Sequence, residues 1–106
     1  MSEGTRERPW TFLSNHAHVL VCLALDPATR LRDVAARVGI TERAVQNIVG
    51  DLEAAGIVHR ERIGRRNLYS LNLEAPLRHP IESHRDVRAL LAMVIDRPAL
   101  RRIPRL

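Results

Sequence analysis

Apolar positions recur at helical spacing over most of this chain and at alternating spacing in one short part. Leu31, Val34, Ala35 and Val38 share one helical face, and Val45, Ile48, Val49 and Leu52 repeat the pattern at i, i+3, i+4 and i+7. Gly39 lies between the two stretches, where a residue free to take φ > 0 ends a helix. Ile40 plugs the corner and Thr41 is an N-cap for the second helix, which Gly56 closes. Upstream, Ser14 or Asn15 caps a first helix that runs to about Leu25 and stops before Asp26-Pro27. Its segment VLVCLAL is apolar without a break, so more than one side of it needs cover. Thr29–Arg32 reads as a short extended segment. After Gly56 the period falls to two: Tyr69, Leu71 and Leu73 alternate with Ser70 and Asn72. Ile57–Ile63 and Leu68–Leu73 therefore predict a β-hairpin whose four-residue tip is Gly64-Arg65-Arg66-Asn67. A last helix begins near Ser83 and Asp86, a shortened capping box, and runs to about Ile95 through the apolar run ALLAMVI. The final ten residues, RPALRRIPRL, show no clear pattern and read as largely unstructured.

The face of the 41–55 helix opposite its apolar stripe carries the chemistry. Arg43, Gln46, Asn47 and Gly50 fall at the same i, i+3, i+4, i+7 spacing, centred roughly 160° away from the apolar stripe. Arginine matches guanine O6/N7, and asparagine or glutamine matches adenine N6/N7. Gly50 lets a surface approach the backbone closely. Two helices joined by so short a turn, with Val34-Ala35, Val38-Gly39-Ile40, Val45 and Ile48 in these places, resemble the helix-turn-helix of bacterial transcription regulators. With the hairpin placed as a wing, residues 14–73 resemble the winged-helix superfamily of arsenic-repressor-like and multiple-antibiotic-resistance-repressor-like (ArsR/MarR) regulators.

The resemblance implies a mainly α fold with a small β-hairpin (α+β), in the order helix, short strand, helix, helix, strand, strand, helix. Residues 1–13 are then an N-terminal arm, 14–96 a winged helix-turn-helix domain ending in a dimerisation helix, and 97–106 a basic tail. It implies a dimeric repressor on pseudo-palindromic double-stranded DNA, in a bacterial-type cytoplasm and associated with the nucleoid. The 41–55 helix enters the major groove, and the wing, residues 60–67, meets backbone or minor groove. Thr41 positions the helix on a phosphate, and Arg43, Gln46 and Asn47 read bases. Arg60, Arg62, Arg65, Arg66 and Asn67 form the wing contacts. Carboxylates at Glu42, Asp51 and Glu53 oppose phosphate contact and motivate an alternative, a winged-helix protein-interaction module. The two continuous apolar helices are expected to pack on their symmetry mates in a C2 dimer, through Val19, Leu20, Leu23, Val87, Leu90, Leu91 and Val94, the alternative being that each covers the other within one chain.

Composition and charge qualify this picture. With 106 residues, 45% apolar and only one Trp, one Tyr and one Phe, the chain builds one aliphatic-cored domain. Trp10, Phe12 and Leu13 are an anchor against the body of the fold or a partner chain. All 17 basic residues are Arg, and net charge is +5. Residues 1–96 hold 13 Arg against 12 acids, while 97–106 hold Arg97, Arg101, Arg102 and Arg105 with no acid. Residues 41–56 are net −2, so the reading helix cannot supply the electrostatic affinity itself. Cys22, the single cysteine, excludes an internal disulfide and reads as a buried structural thiol. No apolar run approaches ~18 residues and no signal peptide is visible, which points to a soluble intracellular protein without a membrane partner. His79 and His84 flank the last helix and are the weak metal candidates; surface and capping roles suit them better, and no metal or cofactor is required. A metal- or effector-responsive sensor with its ligand at the dimer interface is the other alternative, with an unidentified small molecule as partner. No nucleophile motif, glycine-rich phosphate loop or HExxH motif is present, so an enzyme is not expected.

Overall fold

The computed structural model describes residues 9–106; the first eight residues of the expected arm lie outside the described part. Helix α1 spans Asn15–Leu25, and Ser14, in extended backbone, caps it by accepting from the Ala17 N–H. Most of its apolar run is buried: Val19, Leu20, Cys22, Leu23 and Ala24 enter the core beside α2, α3 and the hairpin, while Val21 is half-buried and Leu25 exposed. Burial raises the Cys22 thiol pKa above its ordinary value, with Arg37 pulling weakly the other way.

Helix α2 (Leu31–Val38) stops at Gly39, whose φ of 85° is left-handed. There the Gly39 and Ile40 N–H groups both donate to the Ala35 carbonyl, at 2.8 and 3.1 Å. Thr41 Oγ1 then accepts from the Ala44 N–H at 3.0 Å and opens α3 (Glu42–Ala54). The α3 stripe Val45, Ile48, Val49 and Leu52 is buried as its spacing demands. Burying each such side chain is worth about 1.5–3 kcal/mol, so this stripe holds α3 in place.

Strands β1 (Val58–Ile63) and β2 (Arg66–Leu71) pair antiparallel, with Arg60 opposite Tyr69 and Ile63 opposite Arg66. The turn is therefore the two residues Gly64-Arg65, with Gly64 at φ 62°, rather than the four-residue tip expected. A two-residue turn with positive φ follows the right-handed twist of the strands, which draws Arg66 and Asn67 into β2. The short strand expected at 29–32 does not form. Leu31 and Arg32 instead open α2, and the one backbone bond to β2 comes from before the segment, where the Pro27 carbonyl accepts from the Tyr69 N–H at 2.9 Å.

The C-terminal part departs most from expectation. Asp86 alone caps α4, accepting from the Ala89 N–H, and α4 covers only Val87–Ala92. Ser83 instead donates to the Pro80 carbonyl. The supposedly unstructured tail is part of the domain. Asp96 caps a fifth helix, α5 (Arg97–Arg101), with Pro98 in its first turn. Ile103 is 4% exposed, and Leu71 of β2 donates to the Pro104 carbonyl and accepts from the Leu106 N–H. The outer edge of β2 offers unpaired backbone groups, and the tail satisfies them.

One chain also buries most of the expected dimer contacts. Val19, Leu20, Leu23, Val87 and Leu91 are 0–3% exposed within the core, where Tyr69, Leu71, Leu73, Ile95 and Ile103 join them. Those five are core residues, because the hairpin and tail cover the sides of α1 and α4 that looked surplus. Leu90 is half-buried against the core, and Val94 is exposed. Trp10 and Phe12 do not anchor on the body of the chain. They meet edge to face at 4.8 Å and are otherwise exposed, at 78% and 91%. Among the described residues, no helix is long and apolar enough to cross a membrane. Over the described residues the result is an α+β fold of five helices and one two-stranded antiparallel hairpin.

Candidate nucleic-acid interface

The outward stripe of α3 is free of the rest of the chain. Thr41, Arg43, Gln46, Asn47 and Gly50 are exposed, while their neighbours Val45, Ile48 and Val49 are buried. A Cβ built at Gly50 would meet nothing within 4 Å. Glycine in the middle of a helix costs roughly 0.5–1 kcal/mol relative to alanine, and no internal contact requires it here. Packing thus gives no reason for Gly50, whereas close approach from outside does.

Beside this stripe runs a groove between the start of α2, the N-terminal half of α3 and the hairpin. Gln46 and Glu42 line it from α3, Arg65, Arg66 and Asn67 from the hairpin end, and Arg60 from within β1. Arg30 and Arg32 line it from the start of α2. Five arginines face one carboxylate there. Arg43 and Asn47 lie on the exposed side of α3, outside the groove lining, and Arg62 is exposed on β1.

The hairpin arginines divide by what they already hold. Arg60 grips Glu53 of α3 with two bonds, Nη2 to Oε1 at 2.8 Å and Nε to Oε2 at 3.3 Å. The Glu53 bond pushes the Arg60 pKa further up, against the effect of partial burial, with Tyr69 assisting. Arg60, expected among the wing contacts, is thus already engaged within the chain, as a strut between hairpin and helix. Arg62 Nε donates to the Gly64 carbonyl at 3.0 Å, which braces the turn. Arg66, no longer at the tip, donates from Nη2 to the Ala28 carbonyl at 3.0 Å and ties β2 to the loop before α2. Arg65 alone occupies the turn without such a bond among the described residues.

The acids of α3 are accounted for in the same way. Glu53 holds Arg60, and Asp51 Oδ2 lies 2.8 Å from His16 Nε2 on α1. Only Glu42 faces the groove.

Arg30 and Arg32 were not singled out from the sequence, although a signal exists. Arginine beside a helix N-terminus opposes the helix dipole, so two of them there suggest a neighbouring anion. Arg30 itself is the N-cap and makes no side-chain capping bond. The histidine candidates gain no support as ligands. His79 Nδ1 accepts from the Ile81 N–H, and the described residues hold no group of three or more His, Cys, Asp or Glu side chains placed for a metal ion. Comparison with known proteins yields no match: no family model fits the chain, and no curated protein or solved structure is significantly similar to it.

Proposed function

We propose that the chain is a sequence-specific double-stranded DNA-binding regulator built as a winged helix-turn-helix. Helix α3 lies in the major groove and the hairpin acts as the wing on backbone or minor groove. The observation that carries this reading is the pairing of two features on one surface. An outward α3 stripe of Thr41, Arg43, Gln46, Asn47 and Gly50 adjoins a groove lined by Arg30, Arg32, Arg65 and Arg66 against the carboxylate of Glu42, with Arg60 there already paired to Glu53. Thr41, at the N-terminus of α3, meets a phosphate with hydroxyl and backbone N–H. Arg43, Gln46 and Asn47 address base edges. Arg30, Arg32, Arg65 and Arg66 meet phosphates, with Arg65 the most available.

The reading of the fold as a protein-interaction module loses two of its three motivating acids, since Asp51 and Glu53 are engaged within the chain. A homodimer belongs to the same proposal: two copies of α3 one helical turn apart match a pseudo-palindromic site, where occupancy of promoter DNA represses transcription. The surface offered for it is not the buried α1 and α4 stripes but exposed Phe12, which lines one pocket with Leu13 and half-buried Leu90, together with Trp10, stacked edge to face on Phe12. Sedimentation at rising protein concentration checks that part. A Phe12→Ser chain sediments as a monomer if the aromatic arm holds the pair together.

The decisive experiment measures binding to duplexes from the chain's own upstream region while salt is varied. The expected result is a linear fall of log affinity with log salt and preference for one sequence. No binding at low salt refutes the function.

A further inference from the structure

We infer that the C-terminal segment, residues 97–106, is part of the nucleic-acid surface, with Arg101, Arg102 and Arg105 holding duplex phosphates that flank the groove. This rests on the DNA-binding reading above and extends it to a segment with no part in that reading.

Charge is the first reason. Residues 41–56 are net −2 and residues 1–96 together only +1, whereas residues 97–106 add +4 with no acid. A polyanion is drawn by net positive potential at short range, since exposed charges are screened within about 8–10 Å in physiological salt. Most of the surplus positive charge therefore acts where this segment lies.

Placement is the second reason. A tail held only by its root would spread that charge over a large volume; this one is fastened. The Leu71 N–H donates to the Pro104 carbonyl at 2.9 Å, the Leu106 N–H donates to the Leu71 carbonyl at 3.0 Å, and Ile103 is buried between them and α5 in sequence. Tyr69 uses the same edge of β2, donating to Pro27. Tyr69 and Leu71 are two residues apart on one strand, so the two attachments lie about 7 Å from each other along it. Pro27 leads directly into Ala28–Arg32, the wall of the basic groove. The backbone of the tail and the start of that wall are thus attached at neighbouring positions of one sheet edge.

Availability is the third. Arg101, Arg102 and Arg105 are exposed, and the ion pairs among the described residues use His16, Arg60 and Arg88 instead. Folding has already fixed the backbone that carries the three guanidinium groups, so binding has less disorder to remove.

The test uses the whole chain and two duplexes, the preferred sequence and a scrambled one, each titrated over a salt series. A triple Arg101→Gln/Arg102→Gln/Arg105→Gln chain is expected to weaken both duplexes alike and to lower the salt slope by about 0.9 per lost contact. The single Arg105→Gln chain should lower it by about 0.9 and carries the test if the triple chain folds poorly. An Arg78→Gln/Arg85→Gln chain, which removes two charges from the exposed 78–85 loop, serves as the control and should leave the slope as it is. Tail variants whose slopes match the control overturn the inference while the DNA-binding reading stands. A parent chain that binds neither duplex at low salt overturns both.

Discussion

Helix α3 and the β1–β2 hairpin meet at one groove, which α3 lines with Glu42 and Gln46 and the hairpin with Arg60, Arg65, Arg66 and Asn67, yet they are built in opposite ways. On α3, the side chains that anchor and those that face outward are separate sets. Val45, Ile48, Val49 and Leu52 are buried, and Arg43, Gln46 and Asn47 are exposed with no bond to the rest of the fold among the described residues. On the hairpin the same residue type does both jobs. Arg60, Arg62 and Arg66 hold Glu53, the Gly64 carbonyl and the Ala28 carbonyl, and Arg65 is left over. A helix sorts its residues by a 3.6-residue period, so function can be separated from support along the chain itself. A two-stranded hairpin has little core of its own and needs side chains as braces. Counting arginines in a hairpin therefore overstates what it can offer a ligand.

This difference can be broken at either end. The largest effect is expected from Leu52→Ala, which should cost about 2–5 kcal/mol of stability by denaturant unfolding and should abolish α3 function only through unfolding. Next, Gln46→Ala and Asn47→Ala should leave unfolding within about 0.5 kcal/mol of the parent. Each should also reduce discrimination against single base-pair changes by about 1–3 kcal/mol. A stability loss comparable to that of Leu52→Ala would show that the two stripes are not separate. Gly50→Ala should raise stability by roughly 0.5–1 kcal/mol while weakening duplex binding, a divergence that a purely structural glycine cannot produce. The smallest effects separate the hairpin arginines. Arg65→Ala should lower the salt slope of binding by about 0.9 with stability unchanged. Arg60→Met should leave the slope nearly unchanged and lower stability by about 1 kcal/mol, the upper end of the range for exposed ion pairs, because this pair is partly buried. Equal slope losses for both would mean that the Glu53 bond does not occupy Arg60.

Much of the fold is legible along the chain because it is local. Ser14, Thr41, Gly39 and Gly56 bound their helices as capping chemistry requires, and alternation marked Tyr69 and Leu71 as the buried side of a strand. The turn failed by two residues because strand twist, and not composition, selects its length. The candidate site was half legible. The α3 stripe could be drawn from spacing alone, whereas Arg30 and Arg32 join the groove only when the hairpin folds back beside α2.

The sequence by itself determined the three N-terminal helices, the two faces of α3, the hairpin and an uneven distribution of charge, all of which follow from neighbours within a few residues. The tertiary structure decided what the apolar runs of α1 and α4 pack against, which arginines are struts and where the C-terminal segment lies. Each of those depends on one-sided elements finding cover and on backbone or guanidinium donors finding acceptors far away in sequence. Leu71 shows this most plainly: its period assigns it to a strand, but only the folded chain brings Pro104 and Leu106 to its open edge.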